Sequence, residues 1–137
     1  MTSRGAWVVG ACDAVEFVVT GDDMSAYASL SGDHNPLHHD AEFARARGFA
    51  GPVVYGGLLL GVVSRLLGER LPGPGCVWHS VSMNFRGALY VGEPARCEGR
   101  VTYASHDLGV LRLQIEVRAG ERLIASGEVQ AGLGRTG

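Results

Sequence analysis

The sequence predicts an α+β fold in which one long helix is held against the concave face of a curved antiparallel sheet. The first observation is a single long apolar helical segment, Gly56 to Glu69. There Leu58, Leu59, Leu60, Val62, Val63, Leu66 and Leu67 occupy nearly every face, so the helix is expected to be buried all round. The second is period-two alternation downstream, clearest where Leu111, Leu113, Ile115 and Val117 are set against Arg112, Gln114, Glu116 and Arg118. That pattern belongs to a half-buried strand.

Taken in order, Val15 to Thr20 reads as a short strand, and Thr20 with Asp23 three residues on forms a helix-opening capping pattern for Asp22 to Leu30. A loop, Ser31 to His39, follows. Asp40 then caps a short helix through Arg47, which the Gly48 to Pro52 stretch breaks. After the long helix, alternation predicts Val77 to Phe85 with Val77, His79, Val81, Met83 and Phe85 inward, then Arg96 to Tyr103 with Cys97, Val101 and Tyr103 inward. The strand of Leu111 to Val117 comes next, and Leu123, Ala125, Val129 and Ala131 complete the set. The turns at Gly92-Glu93-Pro94, Ser105 to Gly109 and Ala119-Gly120-Glu121 are short enough to join antiparallel neighbours.

At 137 residues and 46% hydrophobic content the chain, 1–137, is expected to be one domain with one core. A net charge of −2, with scattered basic residues, carries no footprint for nucleic acid or an anionic membrane surface. All 12 basic residues are arginine, which excludes Schiff-base chemistry and a phosphate-loop lysine. Cys12, Cys76 and Cys97 match neither a zinc pattern nor a disulfide framework and are expected to be buried apolar residues. The start, Met1 to Trp7, has no secretory pattern, so a cytoplasmic location is expected. The apolar run Leu58 to Val63 falls well short of the roughly 20 residues that span a bilayer.

Chemistry concentrates between Ser31 and Asp40, where the chain reads Ser-Gly-Asp-His-Asn-Pro-Leu-His-His-Asp. Pro36 fixes its own φ and keeps Asn35 out of the helical region, so Asp33 and His38 lie on an irregular segment whose side chains can converge. A carboxylate and an imidazole around one water can activate it together. The same residues are also ordinary turn formers. His34 and His39 flank the pair with no supporting ligand set, so no metal site is expected and solvation accounts for both. His79 reads as a core or pocket histidine, His106 as an exposed turn residue, and Trp78 and Tyr90 as packing residues. At the entrance to the long helix, Gly56 and Gly57 leave the first unpaired N–H groups approachable, which suits an oxyanion hole; close packing uses glycine equally well.

The stretch Tyr27 to Ala44, with Gly51-Pro-Val-Val-Tyr-Gly-Gly-Leu-Leu-Leu60, resembles the hydratase motif of the (R)-specific enoyl-CoA hydratases, or MaoC-like dehydratases. Leu71 to Gly75, Asn84 to Arg86 and Tyr90 to Glu93 extend the resemblance over roughly residues 15 to 132. It implies a hot-dog fold, a sheet wrapped around a central helix, and a homodimer. It implies that Asp33 and His38 are the catalytic pair, that the Gly56 N–H receives the thioester oxygen, that Ser64 supports the pocket and that Asn35 shapes the loop.

The implied reaction adds water to a trans-2-enoyl thioester, giving an (R)-3-hydroxyacyl thioester, or runs in reverse. It needs no cofactor, the acyl group being carried on coenzyme A or on an acyl carrier protein. Tyr55 stands where many members have histidine, and it could reshape the acyl pocket, hydrogen-bond the loop or redirect the chemistry. The segment Arg86-Gly87-Ala88 lacks the usual proline after its basic residue, a change expected to affect only a loop. Thioester hydrolysis, or conjugate addition of another nucleophile, is the alternative reaction, and acyl binding without turnover the non-enzymatic one.

Overall fold

The computed structural model describes residues 8–133. The opening residues on which the secretory reading rests lie outside them. The first strand, β1, is Cys12–Phe17 rather than Val15 to Thr20. Pairing sets its position: β1 runs antiparallel to β3 (Ala95–Ser105) from Cys12↔Arg100 to Phe17↔Ala95. Helix α1, Gly21–Ser31, has the expected capping box. The Asp23 N–H donates to Thr20 Oγ1 and the Thr20 N–H donates to Asp23 Oδ2 at 2.9 Å. Gly32, at φ 77°, ends the helix in the left-handed region. A 3₁₀ turn, Pro36–His38, and the Asp40-capped helix α2, Ala41–Ala46, follow.

Helix α3 is Gly56–Glu69, as predicted, but it is buried on one side only. Leu59, Val63, Leu66 and Leu67 pack on the sheet, whereas Gly57, Gly61, Ser64 and Arg65 are exposed. The sheet covers a single side of the helix, and α1 flanks it across an open groove of about 380 Å³ lined by Tyr27, Leu30, Leu58 and Val62. No described helix is long and apolar enough to cross a membrane.

Strands β2 (Cys76–Phe85), β4 (Val110–Ala119) and β5 (Arg122–Leu133) complete one antiparallel sheet in the order β1-β3-β4-β5-β2. The segment 86–94, with its Gly92-Glu93-Pro94 turn, therefore does not join neighbours: β2 pairs with β5 at the opposite side of the sheet from β1. Strand β4 alternates as predicted, with Leu111, Leu113, Ile115 and Val117 buried. In β2, β3 and β5, β-bulges shift the parity. The extra residue His79 shifts the β2 register, so Trp78 packs on the core while Val77 and His79 are exposed. Thr102 does the same in β3, turning Tyr103 outward, where the Arg112 guanidinium sits 5.0 Å from its ring centroid. Ile124 is the extra residue of β5 and is fully buried, with Leu123 half-buried. Of the cysteines only Cys97 is buried; Cys12 is exposed and Cys76 half-buried.

Candidate active site

The Ser31 to His39 loop is held by its own short side chains. The Asn35 N–H donates to Asp33 Oδ1 at 3.0 Å, and the Leu37 N–H donates to Asn35 Oδ1 at 3.0 Å, so Asn35 caps the 3₁₀ turn. The His38 N–H closes that turn on the Asn35 carbonyl at 3.1 Å. Asp33 remains exposed and His38 half-buried.

The imidazole of His38 is fixed from the neighbouring segment. Its Nδ1 lies 2.6 Å from the Val53 carbonyl oxygen. A carbonyl only accepts, so Nδ1 carries the proton and Nε2 keeps a lone pair, the form that acts as a base. The His38 ring also stacks on the Tyr55 ring, with centroids 3.9 Å apart and planes inclined by 25°.

Tyr55 is the hub beneath the loop, at 2% exposure. Its hydroxyl donates to the Asp33 carbonyl at 2.7 Å and accepts from His39 Nε2. Tyr27 packs against it as well, ring centroids 4.5 Å apart. Burial, then the nearby Asp33 charge, then Tyr27, raise the Tyr55 pKa, so the hydroxyl stays protonated and donating. Of the three roles open to Tyr55, the geometry shows hydrogen bonding to the loop. His39, read from sequence as solvated, is a partner of that buried hydroxyl. His34 and His106 are exposed.

Tyr55 is also the N-cap of α3, and no side chain caps that end. The first backbone hydrogen bond inside the helix is Leu59 N–H to the Tyr55 carbonyl at 3.2 Å, so the amides before Leu59 precede the ladder and carry the positive end of the helix dipole. At Gly57 an added Cβ would collide with the Tyr27 hydroxyl, so close packing explains that glycine. At Gly56 a Cβ would lie 3.2 Å from the Phe85 ring, which covers the helix entrance. Ser64 lies two turns, about 12 Å, along α3 from Gly56 and is exposed, apart from the Asp33–His38 loop.

The crossover 86–94, read from sequence only as a loop and a short turn, positions the helix entrance. The Val54 N–H donates to the Leu89 carbonyl at 2.8 Å, Val53 bridges Tyr90, and the Ala50 N–H donates to the Tyr90 hydroxyl at 3.1 Å. The Val53 N–H then donates to the Leu37 carbonyl at 3.2 Å, carrying the register into the loop. The crossover is itself clamped: Arg122 donates from Nη1 and Nη2 to the two Glu93 carboxylate oxygens at 2.9 and 2.8 Å, and from Nη2 to the Ala88 carbonyl at 2.8 Å. Chiefly the Arg122 hydrogen bonds lower the Glu93 pKa, against some opposing burial. Among the described residues no cluster of histidine, cysteine or carboxylate side chains is arranged to hold a metal ion.

Residues 11–124 match the family described as MaoC like domain. The (R)-specific enoyl-CoA hydratase of Aeromonas caviae is 36% identical over 107 residues, 77% of this chain and 80% of that protein. A mitochondrial 3-hydroxyacyl-[acyl-carrier-protein] dehydratase of Arabidopsis thaliana is 40% identical over 76 residues, 56% of this chain and 45% of that protein. The solved structure of an (R)-hydratase from A. caviae involved in PHA biosynthesis superposes with a TM-score of 0.87 at 33% identity, over 92% of this chain and 96% of that one.

Proposed function

This chain belongs to the family of MaoC-like domains, and from that premise we propose that it adds water across the double bond of a 2-enoyl thioester, or removes it from the (R)-3-hydroxyacyl thioester. The fold is the hot-dog fold, and the chain is a lyase of the hydratase and dehydratase class acting on thioesters.

The observation that carries the residue assignment is the His38 Nδ1 bond to the Val53 carbonyl, which leaves Nε2 as acceptor on the same loop as the Asp33 carboxylate. In the proposed step these two groups hold one water. His38 Nε2 takes a proton from it as the oxygen bonds to the β-carbon, and the imidazolium so formed returns that proton to the α-carbon, so that H and OH of one water are added and His38 is regenerated. Asp33 orients the water through its carboxylate. Negative charge developing on the thioester oxygen is received by the Gly56 N–H at the uncapped end of α3, with Gly57 beside it. Asn35 keeps the loop in shape by capping the 3₁₀ turn. Both added fragments come from water and there is no net oxidation or reduction of carbon, so the step calls for no redox group.

The acyl group is carried as a thioester, on coenzyme A or on an acyl carrier protein; relatives of both kinds support the choice. A homodimer is part of the proposal. Val81 and Phe85 pair with buried Val129 and Ala125 and so face the helix side, yet they remain 41% and 51% exposed on the outermost strand. A second copy of the chain along β2 would cover them.

The test is incubation with crotonyl-CoA, following loss of the conjugated absorbance and identifying the product by mass. Gain of one water supports the reading. Release of free coenzyme A would indicate a thioesterase, and no reaction with crotonyl groups on either carrier would remove the hydratase assignment.

A further inference from the structure

The loop that carries Asp33 and His38 has few anchors of its own: local turn bonds, and two links to Val53 through Leu37 and the His38 ring. Beneath it lies a side chain that meets it at three points. Tyr55 donates to the backbone carbonyl of Asp33, lies flat under the His38 ring and accepts from His39 Nε2. Its own position is fixed, because it is buried at 2% exposure, packed on Tyr27 and seated as the first residue before α3. A rigid phenol thus ties both ends of the segment 33–39 to the end of the helix that would receive the thioester oxygen.

We propose that Tyr55 and His39 form a positioning pair that locks the Asp33–His38 loop in register with the N-terminus of α3. Tyr55 touches the backbone of one proposed catalytic residue and the ring of the other; His39 saturates the accepting side of the phenol, so that its single proton is committed to the Asp33 carbonyl. His39 cannot serve as the donor unless Nε2 carries the proton, which fixes its tautomer as the opposite of that of His38. The adjacent histidines are divided by this bonding: one presents a free Nε2 as a base, the other spends its Nε2–H on the scaffold. The pair acts through Asp33 and His38 and not on substrate.

This inference rests on the hydratase reading for its effect on turnover, and its structural part is tested without it. The Tyr55→Phe variant keeps the ring stack and loses both hydroxyl bonds. Amide hydrogen exchange at Leu37 to Asp40, whose N–H groups close the turn on Asn35 and Pro36, should quicken about tenfold while strand β4 is unchanged. With crotonyl-CoA, kcat per folded molecule should fall by about 10- to 100-fold with KM within about threefold, the pattern of misplaced catalytic groups. His39→Leu, a change at an exposed residue that spares the fold, should reproduce the loss, and His39→Gln, which restores an N–H donor, should recover most of it. Tyr55→Phe combined with His39→Leu should be no worse than Tyr55→Phe alone, since one network is broken once.

Wild-type exchange in Tyr55→Phe overturns the proposal whatever the activity. So does wild-type kcat in both variants, or losses that multiply in the double variant. A wild-type protein that adds no water to crotonyl thioesters defeats the hydratase reading instead, and the exchange experiment still decides whether Tyr55 holds the loop.

Discussion

At the scale of single residues, the helix entrance depends on small and buried groups. Gly57→Ala drives a methyl into the Tyr27 hydroxyl, and should cost about 1–3 kcal/mol by overpacking. Denaturant melts of Gly57→Ala and of Gly57→Ala with Tyr27→Leu check this, because removal of the ring should return part of the loss. Tyr55 supplies a pH signature. Its folded pKa is raised above 10.0, so the protonated form is favoured by folding; that stability is fully present below pH 10 and is lost as pH rises through the folded value. Thermal melts between pH 9 and 12 should fall more steeply for wild type than for Tyr55→Phe. Cys97, with its pKa pushed up to about 12 by burial, contributes in the same direction to both proteins and cancels in the comparison.

The irregular segment carrying Asp33 and His38 was legible in sequence because Pro36 and the adjacent polar run force it there, and Gly56 and Gly57 because they open the apolar helical run. The partners of Tyr55 were not. His39 looks like any exposed loop histidine until the phenol from 16 positions later is brought beneath it.

At the scale of elements, α3 has correct bounds and an incorrect expectation of burial. Its composition records hydrophobicity, but which side is covered depends on how far the sheet and α1 reach. Gly61 lies on the uncovered side with nothing within 4 Å of an added Cβ. Gly61→Ala should therefore stabilise the protein by about 0.5–1 kcal/mol through helix propensity, read as a raised denaturation midpoint. The alternation of β4 was predicted correctly because the strand is central and free of bulges, whereas His79, Thr102 and Ile124 reset parity in β2, β3 and β5. A single inserted residue leaves no mark on composition.

The crossover 86–94 misled for a related reason, since its Gly92-Glu93-Pro94 turn suggests a hairpin while the strands it joins lie apart. Its clamp has a testable pH dependence. The Glu93 pKa is lowered in the fold, so the stability it confers is present above the ordinary carboxylate range and is lost as pH falls through the folded value. Glu93→Gln should flatten the decline of Tm below about pH 4.5 relative to wild type.

At the scale of the whole molecule, the exposed row on β2 and the site at the α3 entrance meet at Phe85, which lies over Gly56. A second copy along β2 would therefore close on the helix entrance. Val81→Arg should convert a dimer to a monomer in sedimentation, with reduced turnover, because the substituted residue faces the same side as Phe85. A wild-type monomer at micromolar concentration would contradict the proposed assembly.

In the proposed reaction, water is handled by Asp33 and His38 in front of the uncapped α3 terminus. The most direct test is turnover of crotonyl-CoA by Asp33→Asn and His38→Ala, with circular dichroism confirming intact folds. A loss of about 100-fold or more is expected in each. Wild-type turnover in both folded variants would contradict it.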